Sequence, residues 1–229
     1  MRPFIVAIDG PAGAGKSTVS KLLARRLGFA LVDTGAIYRS VALMARREGI
    51  ASDDDARLGE LLARIHIHFQ VVGEENRVFL DGQDVSSEIR APEISMGASQ
   101  VSSRPVVRAG LLALQRRLAL EAEKGAILEG RDIGTVVFPD ADAKFFLQAS
   151  PEVRARRRFE ELFQKGVEAS LEQVLADQMQ RDRDDSARAV APLKAAEDAI
   201  RVDSSSLPLS EVVHEMENEI QRRLAQRGA

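Results

Sequence analysis

The stretch Phe4-Ile5-Val6-Ala7-Ile8-Asp9-Gly10-Pro11-Ala12-Gly13-Ala14-Gly15-Lys16-Ser17-Thr18 decides the fold. It opens on a short apolar run and passes into a glycine-rich segment. Val19, Leu22, Leu23 and Leu27 then recur at helical spacing, which spells strand, loop and helix. Gly10 to Ser17 match G-x-x-x-x-G-K-[ST], in the context that this pattern's chemistry requires. Glycines let successive backbone N–H groups converge on a phosphate, and the following helix adds the positive end of its dipole. Lys16 is placed to reach the outer phosphates and Ser17 to ligate Mg²⁺. A nucleoside triphosphate site follows from these residues alone.

Working outward, further short β-like runs occur at Phe29 to Val32, Ala126 to Leu128, Ala143 to Leu147 and Ala199 to Val202, with helical patterns between them. Unalternating strands separated by helices predict an α/β fold whose parallel sheet is covered on both faces. Val107, Leu111, Leu114 and Leu118 form one helical stripe, and Val213, Met216, Ile220 and Leu224 form another. Ser150-Pro151-Glu152 reads as a helix start and Ser170 with Gln173 as a capping box, which gives two helices flanking Gly166. Residues 50 to 95 break the pattern. A capped helix over Ser52 to Arg64, with Leu58, Leu61 and Leu62 on one face, is followed by alternation through Ile65, Ile67, Phe69 and Val71. A turn at Gly73-Glu74-Glu75-Asn76, a second run Val78-Phe79-Leu80 and the hairpin signal Asp81-Gly82 complete a small antiparallel sheet.

The 229 residues exceed the soft unit of roughly 150 per domain, which suggests one large domain or a core with an insertion. An apolar fraction of 45% with 29% charged residues excludes a disordered chain. No run approaches the roughly 18 apolar residues of a membrane span, and no leader pattern opens the chain. The expectation is a soluble, untargeted protein without a membrane partner. The absence of Cys excludes disulfides and thiol chemistry and fits a cytoplasmic location. With 32 Lys and Arg against 35 Asp and Glu, the net charge of -3 argues against a general nucleic-acid partner. His66, His68 and His214 read as surface residues rather than metal ligands, and Asp53-Asp54-Asp55 as support for a helix N-terminus.

A triphosphate site leaves three classes open: a small-molecule kinase, a GTPase switch and a motor ATPase. A GTPase is expected to carry an Asn-Lys-x-Asp reader, yet Asn76 and Asn218 are the only asparagines and neither precedes Lys. A motor's apolar run ending in Asp-Glu is absent as well. Phosphotransfer to a small acceptor leads, and a phosphorylated acceptor needs its own arginine clamp. Arginines occur in Asp33-Thr34-Gly35-Ala36-Ile37-Tyr38-Arg39 after the second strand, in Gly130-Arg131-Asp132 after the third, and in Arg181-Asp182-Arg183-Asp184-Asp185-Ser186-Ala187-Arg188. In an open parallel sheet, residues just beyond the strand C-termini line the ligand crevice.

With these segments, and with Ser99-Gln100-Val101, Glu129-Gly130-Arg131-Asp132-Ile133-Gly134-Thr135-Val136-Val137-Phe138-Pro139 and Arg188-Ala189-Val190-Ala191-Pro192, the chain resembles the nucleoside monophosphate kinases, and within them the bacterial cytidylate kinases, from Ala7 to Asp203. The resemblance implies a single P-loop NTPase domain with a five-stranded parallel sheet. Its core would be 1–33, 97–152 and 170–229, its monophosphate-binding subdomain 34–96 with the β insertion, and its helical lid 153–169. It implies ATP as phosphoryl donor, held by Gly10, Pro11, Ala12, Gly13, Ala14, Gly15, Lys16, Ser17 and Thr18, and CMP and dCMP as acceptors. Arg39 and Arg131 would grip the monophosphate, and Tyr38, Arg181 and Asp185 the pentose. Ser99, Arg108, Asp132 and Arg188 would read the cytosine, whose N4 amino group donates and whose O2 and N3 accept. Thr34 supplies a hydroxyl where Ser is common. Ser17 and Glu129 would stand at Mg²⁺, Lys16 and Arg131 would act in the transfer, and Arg154, Arg157 and Arg158, which share a helix face, would act from the lid. A monomer is expected. The acceptor is itself a phosphate with a second pKa near about 6, so no general base is needed. Two other readings stay open: a UMP or TMP kinase, and a non-catalytic nucleotide-binding module whose arginines dock RNA.

Overall fold

The computed structural model describes residues 2–73, 75–164 and 166–228. In chain order the elements are β1 (Phe4–Asp9), α1 (Lys16–Leu27), β2 (Ala30–Asp33), α2 (Thr34–Arg47), α3 (Asp55–Arg64), β3 (Ile67–Val72), β4 (Glu75–Leu80), β5 (Gln83–Asp84), α4 (Pro92–Ser102), α5 (Pro105–Leu120), β6 (Gly125–Gly130), β7 (Ala143–Gln148), α6 (Pro151–Gln164), α7 (Leu171–Ala187), β8 (Ile200–Asp203) and α8 (Leu209–Gly228). A π-helical turn, Ile133–Val137, follows β6. The five expected strands form one sheet in the order β2-β6-β1-β7-β8. β1 runs parallel to β6 and to β7, and β7 parallel to β8. Two compact units divide the chain, residues 1–30 with 122–229 and residues 31–121.

In the first unit the sheet is the core. All six residues of β1 are buried, as are all six of β6, which is why these strands read as apolar runs without alternation. Ile5, Ile8, Ile127 and Leu128 are fully enclosed, each contributing on the order of 2 kcal/mol by burial. α1 packs against β1 and β6, α8 against α1 and β7, and α6 against α7. Val212, Val213, Met216 and Ile220 form the buried side of α8, while Leu224 is half-buried. Ser170 caps α7 by accepting from the Gln173 amide at 3.1 Å. The reciprocal half of the expected capping box is missing, because the Gln173 side chain donates to Asp177 at 2.6 Å instead.

The second unit packs α2 against α4 and α3 against α5. The helix predicted from Ser52 begins at Asp55 and is capped by Asp54, whose carboxylate accepts from the Arg57 amide at 3.1 Å. The α5 stripe runs through Val107, Leu111, Gln115 and Ala119, with Leu114 and Leu118 half-buried beside it, a four-residue repeat that admits the polar Gln115. β3, β4 and β5 form the antiparallel sheet. Asp81 and Gly82 both take positive φ, 48° and 80°, as a two-residue hairpin of the predicted kind requires. Glu74, part of the predicted turn before it, lies outside the described residues. Residues 97–121, placed with the core by the sequence reading, belong to this unit through α4 and α5. Among the described residues no helix is long and apolar enough to cross a membrane.

Candidate functional site

The glycine-rich loop leaves β1 at Gly10 with φ 149°, where a Cβ would stand 2.0 Å from the Leu147 carbonyl oxygen of β7. Only glycine lets the chain turn that close to the neighbouring strand. Gly15, in the left-handed region, starts α1, and Lys16 is its first residue. The Lys16 side chain is buried, and its Nζ donates to the carbonyls of Gly10 and Pro11, both at 2.8 Å. Burial pushes its pKa well down and the nearby Arg131 guanidinium adds to this; Glu129 and Asp9 oppose it. An ammonium in this position gains most from an arriving anion, since added negative charge reverses the cost of desolvation.

Ser17 Oγ donates to Glu129 Oε2 at 2.9 Å, so the two residues expected at the metal are in direct contact. Glu129, the penultimate residue of β6, is buried. A hydroxyl and a carboxylate are the hard oxygen donors that Mg²⁺ takes, and Mg²⁺ is ordinarily held by one or two such groups together with phosphates and water. Among the described residues no group of three or more acidic or histidine side chains is placed to hold a metal. The Ser17 and Glu129 pair fits a metal that is completed by phosphate and water oxygens.

The three arginines expected on a lid, Arg154, Arg157 and Arg158 of α6, share a helix face but not an environment. Arg154 is buried. It donates to the Ala149 carbonyl at 2.9 Å and to the phosphate-loop carbonyl of Ala12 at 3.0 Å, and it pairs with Asp182 of α7 at 2.7 Å. A Cβ on Gly13 would meet Arg154 Cβ and Gln178 Nε2, each at 3.1 Å, so the loop lies directly on these helices. Arg157 donates to Ser204 at its hydroxyl, 3.2 Å, and its carbonyl, 2.6 Å. Ser204 in turn lies 3.1 Å from the Ala14 carbonyl. Arg158 is half-exposed and pairs locally with Glu161 at 3.0 Å. Spacing alone does not separate these three depths, because depth is decided by what α7 and the phosphate loop bring against the face.

Arginines converge on Asp185, which is 1% exposed. Arg131 donates to it at 3.0 Å and Arg188 pairs with it at 2.5 Å. Burial would raise this carboxyl; Arg131, Arg188 and Arg181 outweigh it and hold the pKa below the usual aspartate range. The Leu193 amide closes on the Asp185 carbonyl at 2.9 Å, and Ala191 between them sits at φ 53°, a conformation that costs a non-glycine residue about 1 kcal/mol or more. Asp132 is buried beside Arg131.

In the second unit, Asp33 caps α2 by accepting from the Ala36 amide at 2.8 Å, and its other oxygen accepts from Arg39 at 2.9 Å. A Cβ on Gly35 would stand 3.0 Å from the Arg39 guanidinium, so this glycine lets Arg39 lie across the helix start. Arg39 Nε is buried and has no hydrogen-bond partner. Thr34 is buried as the first residue of α2. Arg108, also buried, lies 5.6 Å over the Tyr38 ring and donates to the Ser102 carbonyl at 3.1 Å. Ser99 is half-buried on α4. The predicted residues thus fall into two groups. Tyr38, Arg39, Ser99 and Arg108 stand on helices of the second unit. Lys16, Glu129, Arg131, Asp132, Arg181, Asp185 and Arg188 stand in the first.

Two residues escape the sequence reading. Asp9, the last residue of β1, is 3% exposed, and its two oxygens accept from the Ile133 and Gly134 amides, both at 2.8 Å. Its pKa is raised from 3.8 to about 6, burial being the main cause, with the two amides opposing it and the Asp132 carboxylate adding to it. A carboxylate closing an otherwise apolar strand was the signal available in the sequence. Ser204 offered none, since its contacts are all made by tertiary packing.

The cytidylate kinase family profile matches residues 6–222. A cytidylate kinase from Geobacter sp. is 57% identical over 222 residues, covering 97% of this chain and 94% of its own. One from Citrifermentans bemidjiense is 54% identical with the same coverage. Among solved structures, a gluconokinase from Sinorhizobium meliloti, 18% identical, superposes with a TM-score of 0.50, covering 99% of this chain and 96% of its own, which supports the P-loop kinase fold.

Proposed function

We propose the following division of labour from the premise that the chain belongs to the cytidylate kinase family and transfers a phosphoryl group from ATP to CMP and dCMP, giving CDP and dCDP. The reaction joins two polyanions, and the attacking oxygen belongs to a phosphate that is largely dianionic near neutral pH. Alignment and charge neutralisation are then the whole task, and proton abstraction is not part of it.

Residues Gly10 to Thr18 hold the ATP phosphates through backbone amides. Lys16 leaves the Gly10 and Pro11 carbonyls for the outer phosphates, a short move for a flexible stem. Ser17 and Glu129 would hold Mg²⁺, which when bound would neutralise charge on the phosphates. Arg39 and Arg131 grip the acceptor phosphate. Arg39 offers an unpartnered buried Nε for it, and Arg131 is oriented by Asp185. Tyr38, Arg181 and Asp185 hold the pentose, Thr34 contributes a hydroxyl near the acceptor, and Ser99, Arg108, Asp132 and Arg188 read the cytosine. Of the lid arginines, Arg157 and Arg158 act on the transferring phosphoryl group. Arg154, which is buried and bound to the Ala12 carbonyl of the phosphate loop, the Ala149 carbonyl and Asp182 of α7, is assigned to holding the phosphate loop in place as a positioning residue.

The observation that carries this reading is the arginine cluster on Asp185 within the unit that also holds the phosphate loop. Cations held in this way before any ligand arrives support the reading of this cluster as the acceptor side. The test is a coupled ADP-release assay over CMP, dCMP, UMP, AMP and TMP. CMP and dCMP are expected to be used best, and a preference for AMP or TMP would overturn the acceptor assignment.

A further inference from the structure

The turn after β6 is capped in an unusual way. Asp132 occupies the N-cap position of Ile133–Val137, and its carbonyl accepts from the Val136 and Val137 amides at 2.9 and 3.2 Å. Aspartate at an N-cap ordinarily folds its side chain over the first amides of its own helix. Asp132 makes no such side-chain cap bond. The two amides that open the turn, Ile133 and Gly134, are taken instead by Asp9, reaching from the neighbouring strand at 2.8 Å each. Asp9 is held rigidly for this. β1 is buried along its whole length, and its register sets Asp9 beside Gly130 of β6 and Phe146 of β7. Gly134 lies close against the clasp, since a Cβ there would stand 3.2 Å from Lys144 Cδ and 3.4 Å from Asp9 Oδ2.

We propose that Asp9 is a positioning residue for base recognition: by capping Ile133 and Gly134 across the sheet, it frees the Asp132 carboxylate from capping its own turn and presents it to the cytosine. The inference rests on the reading of Asp132 as a base-contacting residue and adds the device that makes it available. With the Ile133 and Gly134 amides both taken by Asp9 at 2.8 Å, the first donors of the turn are not open to the Asp132 side chain, which makes no cap bond there. The same cap ties the strand feeding the phosphate loop to the segment that carries Arg131 and Asp132, so the donor and acceptor residues of this unit are set by one hydrogen-bonded clasp.

The variant Asp9→Asn tests this. Its amide accepts from one of the two N–H groups and turns its own N–H₂ toward the other, which leaves an unsatisfied amide for Asp132 to cap. With kcat/KM measured for CMP and UMP in the wild type, Asp9→Asn, Asp132→Asn and the double variant, Asp9→Asn is expected to narrow the CMP to UMP ratio by about tenfold. The Kd for ATP without acceptor is expected to stay within about threefold, and the double variant to be no less selective than Asp132→Asn alone. A purely structural residue would lower both substrates in proportion. An unmoved ratio in Asp9→Asn, or single effects that multiply in the double variant, would overturn the inference while leaving base reading by Asp132 intact. An unmoved ratio in Asp132→Asn would instead remove the reading on which it rests. If Asp9→Asn does not fold, Asp9→Ser, whose single short hydroxyl cannot accept from both amides as the carboxylate does, is expected to narrow the ratio in the same direction, and an unchanged ratio there also counts against the proposal.

Discussion

Asp9 carries a cost that can be measured apart from catalysis. Its carboxyl titrates near 3.8 in an ordinary setting and at about 6 in the folded protein. The folded state therefore binds the proton more tightly than the unfolded chain, and stability contributed below pH 3.8 is lost as pH rises through about 6. At about 1.4 kcal/mol per pKa unit, the whole window corresponds to about 3 kcal/mol, of which about 2 kcal/mol falls between about pH 4.5 and about pH 7. The group is 3% exposed, so solvent screening takes little from this figure. Lys16, Asp132 and Lys144 stand near the same carboxylate and are retained in Asp9→Asn. Urea unfolding followed by far-UV circular dichroism at the two pH values, for the wild type and Asp9→Asn, isolates the residue. Wild-type stability is expected to drop by about 2 kcal/mol more than that of the variant on going from the lower pH to the higher. Parallel changes in the two proteins would refute the argument that burial, rather than the two amides, dominates at Asp9.

Lys16→Ala is expected to lower phosphoryl transfer by orders of magnitude while changing unfolding free energy by less than about 1 kcal/mol, since the lost bonds to Gly10 and Pro11 are offset by removing a buried ammonium; wild-type turnover would sink the phosphate-loop assignment. Arg154→Ala and Arg158→Ala should part company in the same urea experiment. The first leaves Asp182 and the Ala12 and Ala149 carbonyls without their donor and costs about 3 kcal/mol, and the second, half-exposed, costs less than about 1 kcal/mol but lowers kcat. Asp185→Asn should raise the KM for CMP by releasing Arg131 and Arg188. Because the folded pKa of Asp185 is depressed, its stability deficit against the wild type is expected in full above pH 3.8 and to shrink as pH falls below that value.

What was legible in the sequence was local. The strand, glycine loop and helix from Phe4 to Leu27 follow from spacing and from backbone conformations that only certain residues adopt, and the Asp81-Gly82 hairpin rests on the same kind of rule. The cap at Ser170 was found for this reason, while its reciprocal partner was lost to Asp177, four residues on, which offers Gln173 a closer acceptor. α2 begins directly at Thr34, so Tyr38 and Arg39 sit on its first turns. Nothing in Asp33-Thr34-Gly35 forces this until the Asp33 carboxylate is seen capping Ala36. The π-helical turn after β6 and the positive φ of Ala191 were likewise invisible, since each is held by groups distant in sequence, Asp9 for the first and the Asp185 carbonyl for the second.

The candidate site shows the same division at the level of charge. Residue type and motif position made Lys16, Glu129, Arg131, Asp132, Arg154 and Asp185 candidates, yet gave no hint that Lys16, Glu129, Asp132, Arg154 and Asp185 would all be buried. A buried ion is tolerated only with close partners, and an ion pair in the interior stabilises less than a well-packed apolar pair of the same volume. Such a concentration of charge is therefore poor design for stability and good design for a reaction between two polyanions. Asp185 and Asp182 fix arginines beforehand, and Asp9 of β1 lends a capping carboxylate, which is the preorganisation that the proposed reaction calls for. The charges that the motif assigns to chemistry and those that hold them in place thus form one network. Asp9 belongs to the second kind: its carboxylate bears the desolvation cost so that the side chain of Asp132 stays out of its own turn.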